Sequence, residues 1–342
     1  MTPAVSPLRI GILSTAKIAG EFALGVQPSR KVAVTAVASR DSARAAKFAR
    51  ENRIVAVFDS YAAMLASPDI DAIYNPLPNA LHAEWSVNAL RSGKHVLCEK
   101  PLGISGGEVE QMFAAADRAG RHLVEAYPYL AQPLTIKLRQ MLAAGEIGRL
   151  ETVQASFGFP MPAAANIRLD AALGGGALFD AGCYPISLVR VIAGECPVGV
   201  HAAATWLSPG VDRTTAATFE FASGLLAQIS CSFGTAVHRH ALIAGAAGIV
   251  ETSYFNTPPP DRPATMQIRR GTRWEVSHHP ETVSAPAMNG FLAEAESFHD
   301  LLRGGATHWS GATPQESRDI ARMIDAVKRS AATGAAEPVR HG

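Results

Sequence analysis

The sequence predicts an α/β protein in two parts: a doubly wound parallel sheet at the N-terminus, then an α+β domain built on a large, open, mostly antiparallel sheet. Three observations carry this. Up to about residue 127, short β-rich runs alternate with amphipathic helical ones, the pattern of parallel strands joined by helical crossovers. Beyond that point the crossovers stop, and strand-like runs follow one another through short turns such as FASG, which favours antiparallel pairing. A chain of 342 residues also exceeds the ordinary size of one core, so two domains, 1–127 and 128–342, are expected.

The strands of the first part are LRIGIL, VAVTAVAS, VAVF, DAIYNP, HVLCE and HLVEAY. Between them lie AGEFALGV, RDSARAAKFAREN, SYAAMLAS, HAEWSVNALRSG and SGGEVEQMFAAADRAG, most with apolar residues at helical spacing. The second part opens with a helix, PLTIKLRQMLAAGEIG. Strands follow in RLETVQASFGF, VGVHAAATW, RTTAATFEFA, LLAQISCSF and HALIAGA, with TMQIRR and RWEVSH as weaker runs. Amphipathic tracts over 291–303 and 314–333 close the chain. The stretch FNTPPPDRPAT reads as a stiff surface connection, and the tail GAAEPVRHG as frayed.

Composition excludes several classes. Apolar residues make up 48% and charged ones 18%, and 31 basic against 30 acidic side chains leave a net charge of +1. That balance argues against nucleic acid or an anionic membrane as partner. No stretch approaches the roughly 20 apolar residues of a membrane span, and MTPAVSPLRI lacks the pattern of a secretion signal, so a cytoplasmic location is expected. Cys98, Cys183, Cys196 and Cys231 lie far apart, and His238, His240, His278 and His279 belong to no ligand array, so no metal is expected.

The turn after the first strand, STAKIAGEF, stands where a dinucleotide fingerprint would place glycines at 14 and 16. Here they are Ser14 and Ala16, followed by Ala19. Small residues still let the amides of Ser14, Thr15, Ala16, Lys17 and Ile18 approach a pyrophosphate. The second strand ends in Ser39 and Arg40, where an acidic residue would accept from the ribose of NAD. A guanidinium and a hydroxyl suit a 2′-phosphate instead, so NADP is expected rather than NAD.

The run YNPLPNALHAEWSVNALRSGKHVLCEKPLG resembles the signature of the Gfo/Idh/MocA oxidoreductases. RIGILSTAKIA, AVASRD, EIGRL, GGGALFDAGCY and DAVKRSAATG follow that family's order over nearly the whole chain. The resemblance implies a Rossmann NADP-binding domain whose cofactor site includes Pro76, Leu77, Asn79, His82, Glu99 and Lys100. Lys100 is implied to lie near the nicotinamide and the reacting carbon, before a cis peptide bond to Pro101.

In GGGALFDAGCYPISLVR, Asp180 and Tyr184 sit four apart, on one helical face, with Pro185 a threat to that geometry. A tyrosine at 184, where many relatives hold histidine, resembles the branch of glucose-fructose oxidoreductase, dimeric dihydrodiol dehydrogenase and NADP-dependent xylose dehydrogenase.

The resemblance implies Tyr184 as general acid/base, Lys100 as the charge that tunes it, and Asp180 as an acceptor for a substrate hydroxyl. Arg168 in NIRLD and Tyr129 are weaker substrate candidates. Leu130 and Gln132 replace an arginine and a histidine common in relatives, which bears on substrate choice. The implied activity is NADP(H)-dependent hydride transfer to or from a sugar or related polyol. A trans-dihydrodiol or a sugar nucleotide, acted on by a 3-ketoreductase, is the alternative substrate. A redox-neutral glycosidase and a non-catalytic NADP sensor are the more distant rivals. A homodimer or homotetramer through the open sheet face is implied.

Overall fold

The computed structural model describes residues 6–161, 166–273 and 279–340. The chain forms two compact units. One comprises residues up to Gly103, Gly107–Ala131 and Met288–Pro314; the other comprises Ile104–Gly106, Gln132–Ala287 and the residues from Gln315 on.

In the first unit, β1 (Leu8–Leu13), β2 (Val32–Ala38), β3 (Ala56–Phe58), β4 (Ala72–Asn75), β5 (His95–Glu99) and β6 (Leu123–Ala126) form a parallel sheet. Its order is β3-β2-β1-β4-β5-β6, the doubly wound arrangement expected. The crossovers are α1 (Lys17–Val26), α2 (Ser42–Glu51), α3 (Tyr61–Ala66), α4 (His82–Arg91) and α5 (Gly106–Ala119). Two of them begin at side-chain caps: Asp41 accepts from the Arg44 amide at 3.0 Å and Ser60 from that of Ala63 at 3.1 Å.

The second unit starts with α6 (Pro133–Ala143), whose proline takes the first helical position, where its missing N–H costs nothing. There follow β7 (Leu150–Gly158), α7 (Cys183–Ala193), β8 (Gly199–Ser208), β9 (Val211–Glu220), β10 (Leu226–Ser232), β11 (His238–Gly245), β12 (Gly248–Thr252), β13 (Ala264–Arg270) and β14 (Glu281–Ala285). With β15 (Glu337–Pro338) they make one sheet, β14-β13-β12-β11-β7-β10-β9-β8-β15, antiparallel except where β7 pairs with β10.

Two strands were not legible. β12 follows β11 through a tight turn that merges the two runs in the sequence, and β14 is short, with a mostly exposed pattern. The expected run RWEVSH falls largely on Trp274–His278, outside the described residues. The tail is corrected: Glu337 and Pro338 pair with Val200 and Gly199, and Val339 is buried.

A boundary at 127/128 misses one return of the chain. The tract expected at 291–303 is α8 (Gly290–Gly304), and its buried face of Phe291, Ala295, Phe298 and Leu301 completes the first unit's core beside Phe22 and Tyr74. Phe22 stacks on Tyr74 at 3.9 Å between centroids and meets Phe291 edge-on. The last helix, α9 (Pro314–Thr333), belongs to the second unit, where Asp319 pairs with the buried Arg190 of α7 at 2.8 Å. Against the expectation that no stretch approaches a membrane span, Ala171–Ala193 is long and apolar enough by composition; 89% of its most apolar window is buried, as in a core helix.

Candidate active site

The first unit's strands end along one sheet edge, and their order reverses between β1 and β4, where open α/β sheets bind ligands. Four predicted segments stand at these ends: Ser14 to Ile18 after β1, Ser39 and Arg40 after β2, Pro76 to Asn79 after β4, and Glu99 with Lys100 at β5. Register makes them neighbours, since Leu13 pairs with Ala38, Ile12 with Tyr74 and Asn75 with Cys98.

Ser14 keeps the backbone of the glycine it replaces. Its φ is 90°, a region L-residues seldom occupy, and its amide donates to the Ala38 carbonyl at 2.8 Å. Its hydroxyl accepts from the Ala16 amide at 3.3 Å. Ala16 is the N-cap of α1 and offers no side-chain cap, and the first turn holds no acidic residue, which leaves a helix N-terminus suited to an anion. Thr15 is half-buried, Ile18 leans on the core, and Lys17 projects outward to Glu21 at 3.7 Å.

After β2, Arg40 is exposed, and buried Ser39 accepts from the Asp41 amide at 3.3 Å. Asp41 is the acidic residue nearest this strand end, and its carboxylate is committed to capping α2. This strand end therefore carries an exposed guanidinium, while its nearest carboxylate is engaged in the cap.

Between β4 and β5 the loops are tied by His82. Its ring is buried, with Nδ1 2.8 Å from the Pro101 carbonyl oxygen and Nε2 2.8 Å from that of Leu77. Burial, with the nearby Lys100 charge, outweighs the two carbonyls and pushes its pKa down to about 4. Asn75 donates to the His82 carbonyl at 3.2 Å and to Ser86 Oγ at 3.0 Å. Asn79 opens a single 3-10 turn ahead of α4. Glu99 is nearly buried and accepts from the Tyr74 hydroxyl at 2.5 Å. Lys100 is partly exposed, and its bond to Pro101 is cis, as the resemblance implied. Tyr129, the weaker substrate candidate, has no exposed surface and meets Tyr127 edge-on.

In the second unit, a turn of π-helix, Leu178–Gly182, leads into α7. Pro185 has no N–H to give to the preceding turn, and the widened turn before it absorbs that loss, so the helix is not broken. Tyr184 is buried, edge-on to Phe157 at 5.5 Å, and its oxygen accepts from Asn256 Nδ2 at 2.9 Å. Arg239 lies 4.0 Å above the Tyr184 ring centroid and 4.1 Å from that of Phe157. Asp180 and Arg168, both candidates, pair at 2.7 Å.

Sequence reasoning missed Arg239 and Asn256. The first looks like one more basic residue in HRH, and the second sits in the proline-rich stretch read as a surface connection. The stretch is a mostly exposed connection, as read, but Asn256 near its start is half-buried and reaches Tyr184, and its carbonyl accepts from Gln132 Nε2 at 2.5 Å.

Gly174 ends a 3-10 turn at φ 76°, and Gly175 and Gly176 serve packing. A Cβ on Gly175 would lie 2.5 Å from the Arg168 carbonyl oxygen; one on Gly176, at φ 118°, would lie 2.3 Å from Asp212 Oδ1. Asp212 in turn accepts from the Leu178 amide at 2.9 Å and the Thr215 hydroxyl at 2.7 Å, fixing the start of the Tyr184 helix. Gly176→Ala is expected to destabilise the protein by about 2 kcal/mol or more, read as a lowered urea midpoint, because it adds a clash to a left-handed backbone. An unchanged midpoint would show that the Asp212 contact is not needed.

Residues 8–127 match the family described as an oxidoreductase family with an NAD-binding Rossmann fold, and residues 135–251 match the GFO/IDH/MocA C-terminal domain. The chain is 35% identical to D-xylose 1-dehydrogenase (NADP(+)) 2 of Haloferax volcanii, over 96% of this chain and 99% of that protein. It is 32% identical to trans-1,2-dihydrobenzene-1,2-diol dehydrogenase of Xenopus laevis, over 92% and 95%.

Among solved structures, the 3-ketoreductase of Actinomadura kijaniata with NADP and TDP-benzene superposes with a TM-score of 0.83 at 32% identity, covering 95% and 98%. It has also been solved with a tyrosine changed to phenylalanine, and with a lysine changed to alanine. The aldose-aldose oxidoreductase of Caulobacter crescentus superposes with a TM-score of 0.86 at 25% identity, covering 97% and 99%. With both family regions matched in order and relatives alike over nearly its full length, the chain belongs to the GFO/IDH/MocA oxidoreductase family.

Proposed function

We propose that the protein is an NADP(H)-dependent oxidoreductase that moves hydride between nicotinamide and a secondary alcohol, hemiacetal or ketone of a sugar or related polyol. The observation that carries the reading is that one chain holds both a lysine closing β5 and a tyrosine on α7 whose oxygen is held as an acceptor. A cofactor-binding sensor has no use for such an acid/base pair.

The cofactor's requirements are met by residues in hand. The glycine-like turn at Ser14 and the uncapped start of α1 suit the pyrophosphate, Arg40 and Ser39 the 2′-phosphate, and Glu99 the ribose side. When bound, NADP⁺ supplies the hydride acceptor. Arg40→Ala is expected to weaken NADPH binding by about tenfold or more with little change for NADH, measured by fluorescence titration. Equal losses for both would remove the case for the 2′-phosphate.

In the oxidative direction Tyr184 takes the hydroxyl proton as the carbon gives up hydride with its electron pair, and a C=O bond forms; reduction returns the proton from the phenol. Lys100 is assigned to the substrate's reacting oxygen, and Asp180, oriented by Arg168, accepts from a neighbouring substrate hydroxyl. Gln132, through Asn256, links the segment that departs from relatives to this tyrosine.

Aldopyranoses are the first substrate class, supported by the xylose dehydrogenase relative, and cyclic trans-dihydrodiols the next. A second reading, reduction of a 3-keto sugar nucleotide, is favoured by the reductase bound to NADP and TDP-benzene. We further propose a cytoplasmic homodimer or homotetramer, joined through the sheet face that carries Gln154, His201, Gln228 and His240.

The test is the rate of NADP⁺ reduction across aldoses, inositols and dihydrodiols. Turnover of an aldose supports the first reading, while turnover confined to NADPH-dependent reduction of ketosugars moves the assignment to the second. Tight NADPH binding without turnover of any of them would leave the sensor.

A further inference from the structure

Arg239 is a buried guanidinium without a paired carboxylate among the described residues. A buried charge needs compensation, and here it comes from aromatic faces and backbone oxygen. Arg239 stands over Tyr184 and Phe157 at about 4 Å and over Tyr254 at 5.6 Å, and its Nη1 donates to the Tyr254 carbonyl at 3.0 Å and to Asn256 Oδ1 at 3.1 Å.

Because a guanidinium can only donate, the Asn256 atom facing it must be the oxygen. The Asn256 nitrogen is thereby turned toward Tyr184, to which it donates at 2.9 Å. The Tyr184 oxygen meets a donor on this side, so its own proton is not spent on Asn256.

Building on the proposed acid/base role of Tyr184, we infer that Arg239 and Asn256 are its positioning residues, holding the phenol oxygen as an acceptor and favouring its phenolate. The two act on different parts of one group. Asn256 delivers a hydrogen bond to the oxygen that gains charge, and Arg239 places a cation against the ring that shares it while locking the Asn256 amide.

The other ionisable neighbours do not take this part. Tyr254 gives its hydroxyl proton to the Ser156 carbonyl at 3.0 Å, and burial pushes its pKa far up, so it stays neutral. Burial likewise pushes up the Cys231 thiol of β10, while Cys183 adjoins Tyr184 on its own helix with its thiol toward the Asp180 carbonyl. Asp180, one turn earlier, is held by Arg168, and Asp212 by the Leu178 amide and Thr215.

The experiment is a spectroscopic pH titration of tyrosinate in the full-length protein with NADP⁺, taking the difference between each form and the same form carrying Tyr184→Phe. It needs no substrate. Arg239→Met keeps bulk and removes charge, Arg239→Lys restores charge without the fork, and Asn256→Ala removes the donor.

The Tyr184 midpoint is expected to rise by about one pH unit in Arg239→Met and in Asn256→Ala, with Arg239→Lys recovering part of the shift. The pH at which turnover half-saturates should move in parallel with any substrate found. A midpoint that stays within a few tenths of a unit of the parent's in folded Asn256→Ala or Arg239→Met overturns the inference. If Arg239→Met does not fold, Asn256→Ala decides alone. A shifted midpoint with no sugar turned over would leave this inference standing and remove the proposed activity; turnover with an unmoved midpoint would do the reverse.

Discussion

Tyr184→Phe is expected to lower NADP⁺-linked turnover by a factor of about 10² to 10⁴, the usual range for losing a general acid/base, while NADPH binds as in the parent protein. The substitution removes the phenol oxygen and keeps the ring, so the edge-on contact with Phe157 and the guanidinium of Arg239 over its face are preserved. What it leaves behind is the Asn256 amide without its acceptor, at a cost of about 1–3 kcal/mol in stability. Initial rates under saturating substrate, with NADPH fluorescence titrated alongside, separate the two effects. A variant that turns over within a few-fold of the parent would remove Tyr184 from the mechanism.

The second large effect concerns stability and pH. The His82 pKa falls to about 4 in the folded protein, against about 6.5 for a free side chain, so the folded state binds fewer protons than the unfolded one between those values. Stability from this group is full above about pH 6.5 and is lost as pH falls toward 4, by about 3 kcal/mol in all. His95, pushed down to about 4 first by burial and then by Arg121, works in the same window and the same direction. Urea unfolding at pH 7 and at pH 4.5 should therefore show a smaller drop in His82→Gln than in the parent. Equal drops would mean that the two carbonyls facing the ring keep it protonated in the fold.

Much of this was legible in the sequence because its signals are local. The alternation of β runs and helices forced the parallel sheet, and both closing helices were visible as amphipathic tracts, with α9 beginning at Pro314 and ending at Thr333. The ends of β1, β2, β4 and β5 could be named as a binding edge because a doubly wound sheet puts them there whatever their side chains. Ser14 shows the limit of reading residue types: a fingerprint that looks degraded keeps its turn, since the Ala38 carbonyl holds the amide in place.

What was not legible depends on long-range packing. The return of α8 to the first core involves residues far apart in the chain, as in Phe22 against Phe291. Asn256 reaches Tyr184 across 72 positions, and nothing in FNTPPPDRPAT marks it from within. Nor do the glycines at 174–176 disclose their use from within the sequence. They accommodate Asp212 and the turn at Arg168, which shape the helix that carries Tyr184.

The measurement that tests the central claim most directly follows one hydrogen atom. A substrate from the active class, deuterated at the carbon bearing the reacting hydroxyl, is turned over with NADP⁺, and the reduced nicotinamide is analysed by mass spectrometry. Transfer of the deuterium to the nicotinamide, with the rate lost in Tyr184→Phe, is the predicted result. Reduced cofactor without the label, or loss of the deuterium to water with no net cofactor reduction, would contradict it.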